Sequence, residues 1–171
     1  MKAAGIKNYR DFGKNVLKEI KDMPISFEVF GDDEETILKE GRELFTWSEN
    51  VYVKVPVVNT KGEFNGNVIK TLADENVKLN ITAIFTYQQV KDVLSVLNKD
   101  TPAIISIFAG RIADAGVDPI GIMKEAIEIA REYPKVEILW ASCRELYSII
   151  DANKIDCDII TVPNSILKKI N

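Results

Sequence analysis

Histidine is absent from the 171 residues. Its absence removes Ser-His and Cys-His nucleophiles and the usual imidazole metal sites, leaving acid-base work to carboxylates, lysine, tyrosine or bound water. Cysteine is scarce: Cys143 and Cys157 stand apart with no CxxC between them. Neither a zinc site nor a structural disulfide is expected, and both thiols are read as reduced and buried. No run approaches the roughly 18 apolar residues of a membrane span. The opening MKAAGIKNYRDF has no apolar signal-peptide core. A cytoplasmic protein with no membrane partner is therefore expected. The formal net charge of −4 argues against nucleic acid as a partner, although a small phosphorylated ligand needs only one or two local cations.

With 46% hydrophobic residues the chain can bury one sizeable core, and a single domain over residues 1–171 is expected. Short apolar runs alternate with segments of helical period. The strand candidates are ISFEVF (25–30), VYVKVPV (51–57), VKLNITAIF (77–85), AIISIFA (103–109), VEILWAS (136–142) and DIITV (158–162). Amphipathic stretches lie between them, such as Ile37, Leu38, Leu44 and Phe45; Val90, Val93, Leu94 and Leu97; and Met123, Ala126, Ile127 and Ala130. A further helix over Tyr9 to Ile20 precedes the first strand. Repeated βα units predict a parallel sheet with helices packed outside it.

Polar residues inside these strands are regularly spaced: Glu28, Lys54, Asn80 and Ser106 follow one another at intervals of 26. Four consecutive units thus place one polar group at an equivalent rung. Side chains alternate along a strand, so Lys54 shares a face with Tyr52 and Pro56, while Val51, Val53, Val55 and Val57 take the other. A charged rung facing away from the helices favours a barrel interior over a doubly wound sheet, whose faces both meet helices. A (β/α)8 TIM barrel usually spans about 250 residues, with about 200 near its lower limit. The expected fold is α/β: a TIM-type barrel with six βα units, lacking roughly the first two strands. Such a sheet would expose two edges and inner apolar rungs around Ile104 and Ile84, and association into a homo-oligomer would follow.

Lys54 is the sharpest chemical signal. Enclosed by other inward side chains it would lose hydration and offer a neutral amine to a carbonyl, the chemistry of a Schiff-base lysine. Its alternative role is an ion pair with Glu28. Asn80, Thr82 and Ser106 on the same face exceed what an ion pair requires. Glu28 is placed to relay protons through a water, or simply to pair. Arg111 and Arg144 each follow a strand, where βα loops build the active face of a barrel, and with Ser142 they suit a phosphate. Otherwise they are surface residues paired to Asp114 or Glu145. GDDEE (31–35) reads as a helix start capped by Asp32 or Asp33 and not as a metal site. Phe27, Trp47 and Trp140 are core candidates.

The motifs VYVKVPVVNTKG, KLNITAIFT, SIFAGRIAD and WASCRE, in this order, resemble those of the transaldolase and fructose-6-phosphate aldolase family. The resemblance runs from residue 1 to the C-terminus. It implies that Lys54 forms an imine with a ketose phosphate and that Asn80 and Thr82 position the intermediate and water. It implies too that Ser106, Arg111, Ser142 and Arg144 surround the phosphate. Glu28 and Phe108 resemble the glutamate and phenylalanine of transaldolases, where the aldolase branch carries glutamine and tyrosine. The implied activity is transfer of a dihydroxyacetone unit between sugar phosphates, as in the pentose phosphate pathway, with no metal or organic cofactor. The alternatives are fructose-6-phosphate aldolase activity or an impaired sugar-phosphate-binding remnant. The family's opening strand, with its aspartate, and its Thr-Thr-Asn-Pro stretch have no counterpart here. MKAAGIKNY is similar to the family's residues immediately after that stretch, so the start is expected to be truncated or misassigned.

Overall fold

A computed structural model describes residues 5, 6 and 8–170; part of the MKAAGIKNY stretch lies outside the described residues. Helix α1 (Tyr9–Glu19) starts at Asn8, whose side chain accepts the Asp11 amide at 3.2 Å. It leads into β1 (Ile25–Glu28), α2 (Glu34–Phe45), β2 (Val51–Pro56), α3 (Gly66–Asp74), β3 (Leu79–Ile84) and α4 (Tyr87–Val96). The chain continues through β4 (Ala103–Ile107), α5 (Ala109–Asp114), α6 (Ile120–Ala130), β5 (Val136–Trp140), α7 (Tyr147–Lys154), β6 (Ile159–Ile160) and α8 (Asn164–Leu167). Asp33 caps α2 by accepting the Thr36 amide at 2.9 Å, so GDDEE is a helix start as expected, while Asp32 instead accepts from Thr60.

All six strands are parallel and lie in chain order, β1-β2-β3-β4-β5-β6. A doubly wound sheet reverses its strand order at a switch point; this one does not, and it curls as a partial (β/α)8 barrel. The strands are shorter than the apolar runs: 29–30 and 141–142 leave the ladder to begin βα loops, and 108–109 pass directly into α5. Alternation in β2 is as read, with Val51, Val53, Val55 and Val57 at 0% exposure against the helices and Tyr52, Lys54 and Pro56 half-buried on the inner face. Phe27 and Trp140 are buried, and Trp47 packs edge-on to Phe27 at 5.2 Å. Cys143 is buried, but Cys157 is only half-buried; both are free thiols.

Two expectations fail at β3. Register runs Glu28 to Lys54 to Asn80, but Asn80 then pairs with Ile104, not Ser106. Beyond Ile81↔Ile105 the next pair is Ile84↔Ile107, so three residues of β3 face two of β4. The extra residue is absorbed by a bulge at Ala83, which adopts φ 59°, in the left-handed region. The bulge inverts the alternation: Ile84, expected on the inner face, is buried at 0% in the helix-side core. Ile104 does face inward yet is not uncovered, because Leu139 and Ala141 enclose it in a small separate cluster with Tyr52, Phe108 and Ile159.

The equal spacing of Lys54 and Ser106 still has a geometric basis. Barrel strands tilt, with a shear of about one residue per strand, so one level is built from alternate strands and steps about two residues past the register partner. Two strands from Lys54 the register partner is Ile104, and two residues further is Ser106. Lys54 and Ser106 therefore share a level, while Asn80 shares one with Ser26.

Candidate functional site

The inner face encloses a cavity of about 660 Å³. Lys54, Asn80, Thr82 and Ser106 line it from three strands, with Ser26, Thr161 and Glu137 at its margins and Ile104, Leu139 and Ala141 as an apolar wall. Lys54 extends from the middle of β2 with its side chain 30% exposed, more open than an enclosed lysine would be. Its Nζ stands 3.7 Å from the Glu28 carboxylate, whose side chain is 44% exposed. The pair is thus an ion pair open to ligand and water.

Beside it the polar side chains are tightly bonded. The Ser106 hydroxyl donates to Asn80 Oδ1 at 2.7 Å, and Asn80 Nδ2 donates to the Ser26 hydroxyl at 2.9 Å. Asn80 is 5% exposed, so both ends of its amide are fixed away from bulk water. Ser26 pairs in register with Tyr52 and Asn80 with Lys54, so this bridge crosses the inner face of β2 between Tyr52 and Lys54. Lys54 stands on the mouth side of the bridge. Thr82, two residues past Asn80, is 2% exposed and its Oγ1 has no hydrogen-bond partner among the described residues. A buried, unpaired hydroxyl at a cavity wall is costly, and the functional reason for keeping one is a ligand or water to bond.

At the mouth side, where the C-terminal ends of the strands lie, the segments after β4 and β5 carry Phe108, Arg111, Ser142 and Arg144, which stand beyond the residues lining the cavity itself. Phe108 follows β4 on the face of Ile104 and Ser106 and packs edge-on to Phe85 at 5.5 Å, which the Ala83 bulge has turned to the same side. The Arg111 guanidinium lies over the Phe108 ring at 5.1 Å. Arg144 Nε donates to Asp114 Oδ2 at 2.8 Å, with both side chains half exposed; the expected pairing to Asp114 is thus made by Arg144 and not by Arg111. Gly110, in the first turn of α5, seats that helix on the loop after β5: its amide donates to Ala141 O at 3.3 Å, and a β-carbon there would lie 1.6 Å from Ser142 O. Ser142 takes φ 62°, which turns the chain sharply where the loop after β5 meets α5.

Ser26, Glu137 and Tyr9 join the site although the sequence did not single them out. Strict alternation back from Glu28 points to Ser26. Glu137 pairs in register with Ile104, low in the cavity, and its charge together with burial raises the Tyr52 phenol above its usual value, burial being the larger cause. Tyr9 gave no local signal, since its hydroxyl reaches β1 from a helix: the Glu28 amide donates to it at 3.1 Å.

With this geometry in view, the model of the Transaldolase/Fructose-6-phosphate aldolase family matches residues 7–171. The chain belongs to this family. A probable transaldolase of Caldicellulosiruptor saccharolyticus is 36% identical over 168 residues, 95% of this chain and 73% of that protein. Probable transaldolases of Methanococcus maripaludis strain C5 and Clostridium acetobutylicum are 33% and 34% identical over 168 residues, each covering 96% of this chain and 74% of the relative. For a member of the transaldolase/fructose-6-phosphate aldolase family, the inward lysine of β2 and the arginines after β4 and β5 are the features to explain. No described helix is long and apolar enough to cross a membrane.

Proposed function

We propose that the protein is a transaldolase-type Schiff-base enzyme acting on ketose phosphates, with Lys54 as the nucleophile. The observation that carries this reading is the Lys54 ammonium 3.7 Å from the Glu28 carboxylate, on the wall of a cavity shared with Asn80, Thr82 and Ser106. The Lys54 amine adds to the ketose carbonyl, forming the C–N bond and moving one N–H proton to the carbonyl oxygen. Protonation of that hydroxyl expels water and leaves an iminium. Glu28, directly or through one water, takes and returns these protons. The unpaired Thr82 hydroxyl holds the water that is expelled and later returns, and the Asn80 amide presents the sugar hydroxyls. The iminium is itself the electron sink for cleavage of the neighbouring carbon–carbon bond, so the reading calls for no metal or organic cofactor.

Arg111 and Arg144, with Ser106 and Ser142, bind the phosphate at the mouth. Arg144 exchanges its bond to Asp114 for the ligand. The three-carbon unit is then transferred to an acceptor aldose phosphate; Glu28 and Phe108 favour transfer over simple aldol cleavage through their likeness to transaldolases. This chemistry belongs to the cytoplasm and to the pentose phosphate pathway.

The test is borohydride trapping with fructose 6-phosphate. The expected result is a covalent sugar adduct on the peptide containing Lys54, absent in Lys54→Met. An adduct confined to another lysine would overturn the assignment. Lys54→Met should cost at most about 1 kcal/mol of stability, the range for an exposed ion pair.

A further inference from the structure

We propose that Tyr9 is a positioning residue for Glu28: its hydroxyl, bound to the Glu28 amide on the side of β1 away from β2, sets where the carboxylate stands relative to Lys54. The inference rests on the reading of Lys54 and Glu28 given above.

Backbone geometry comes first. Along β1 the Ile25 amide donates to Asn50 O at 3.0 Å and the Val29 amide to Lys54 O at 3.1 Å, so the odd-numbered residues bond toward β2. Amides alternate sides along a strand, and those of Ser26 and Glu28 face away from β2. The Tyr9 hydroxyl accepts the Glu28 amide at 3.1 Å. A side chain from α1 thus does for Glu28 what a neighbouring strand's carbonyl would do. Glu28 is then held from both sides, by the ladder to Lys54 through Val29 and by the phenol.

The phenol is itself rigidly placed. Its ring meets Phe27 edge-on at 5.9 Å, Phe30 edge-on at 5.1 Å and Trp47 at 6.2 Å. Burial, the largest cause, raises its ionisation above the usual value against a lowering by the Glu28 amide bond, with the Glu28 charge adding a smaller rise, so the hydroxyl stays protonated while it accepts that bond. Apart from the Lys54 contact, the Glu28 side chain makes no polar contact with the described residues and is 44% exposed. Its position over the lysine is therefore set chiefly by the backbone from which it rises. Proton transfer is sensitive to distance and angle, so a backbone shift of a few tenths of an ångström would slow imine formation without touching the groups that bind the phosphate.

The experiment uses the whole chain, comparing wild type, Tyr9→Phe and Phe27→Leu. The first reading is the rate of the borohydride-trapped adduct at Lys54 across fructose 6-phosphate concentrations. Tyr9→Phe keeps the ring and removes the hydroxyl; the limiting rate should fall about tenfold, within the reach of a misplaced acid-base group, with the half-saturating concentration changed less than about twofold. Amide exchange at Glu28 should accelerate. Phe27→Leu loosens the same aromatic cluster but keeps the hydroxyl, and should lower the melting temperature while leaving the limiting rate. An unchanged rate in Tyr9→Phe, a change confined to half-saturation, or an equal loss in Phe27→Leu would each overturn the inference. If wild type itself forms no adduct at Lys54, the underlying reading fails and this inference falls with it.

Discussion

A β-carbon on Gly110 would stand 1.6 Å from the Ser142 carbonyl oxygen, closer than any unbonded pair can approach. Helix α5, which carries Arg111, and the loop that carries Arg144 are thus seated backbone to backbone, and glycine is the residue that permits it. Gly110→Ala should push them apart, costing about 1–3 kcal/mol of stability as an overpacked contact. The affinity for a ketose phosphate should fall at the same time. Thermal denaturation and equilibrium binding of fructose 6-phosphate, measured on one preparation, would show both losses; tight binding in a destabilised variant would mean that the seating does not govern the anion site.

Thr82→Val should separate stability from chemistry. The Thr82 hydroxyl is buried without a partner among the described residues, and valine has nearly the same shape. Removing an unsatisfied buried hydroxyl should stabilise the fold by about 1 kcal/mol, within the usual penalty for leaving one unmade. Adduct formation at Lys54 should slow nonetheless, since the hydroxyl would no longer hold water. Denaturant titration and trapping kinetics would check the pair; a less stable Thr82→Val would show that the hydroxyl has a partner in solution even without substrate.

The two arginines should differ in their effect on the free protein. Arg111→Ala and Arg144→Ala should each weaken a phosphorylated ketose by about 1.5–3 kcal/mol, the range for a hydrogen bond to a charged group, and leave an unphosphorylated analogue little affected. Arg144→Ala also loses the half-exposed bond to Asp114, for which a few tenths of a kcal/mol up to about 1 kcal/mol is expected, whereas Arg111 makes a stacking contact with Phe108. Calorimetry with phosphorylated and unphosphorylated sugars would decide; equal losses on both would assign the arginines to structure alone.

Acid should destabilise the fold through its bonded carboxylates. The Thr36 amide holds Asp33 below the usual carboxylate range, the Thr60 hydroxyl does so for Asp32, Lys70 for Asp74 and Arg42 for Glu75. A carboxyl depressed in the folded state contributes stability above its unfolded value, about 4, and loses it as pH falls toward the folded value. The melting temperature should therefore be nearly level from pH 7 to about 5 and drop below about 4. In Asp33→Ala it should start lower at neutral pH and fall less steeply in acid; an unchanged acid slope would mean that the α2 cap contributes nothing to this linkage.

The face on which Lys54 stands was legible in VYVKVPV because alternation is a property of the extended chain itself: whichever side takes four valines turns the lysine to the other. For the same reason the βα order, the parallel sheet and a helix start in GDDEE could be read locally, whereas the single rung read from the 26-residue interval divides in the structure, Lys54 sharing a level with Ser106 and Asn80 with Ser26. What lay beyond reach depended on how strands and loops meet. The Ala83 bulge moved Ile84 into the outer core and turned Phe85 to the mouth, since one extra residue inverts every side chain after it. Strand tilt, and not register, brought Ser106 level with Lys54. Asp114 went to Arg144 because Gly110 lets α5 touch the loop after β5, and the Tyr9 hydroxyl found the Glu28 amide across nineteen positions of chain. Periodicity within a strand is dictated by local stereochemistry; pairing between distant segments is decided only when packing sets their distances.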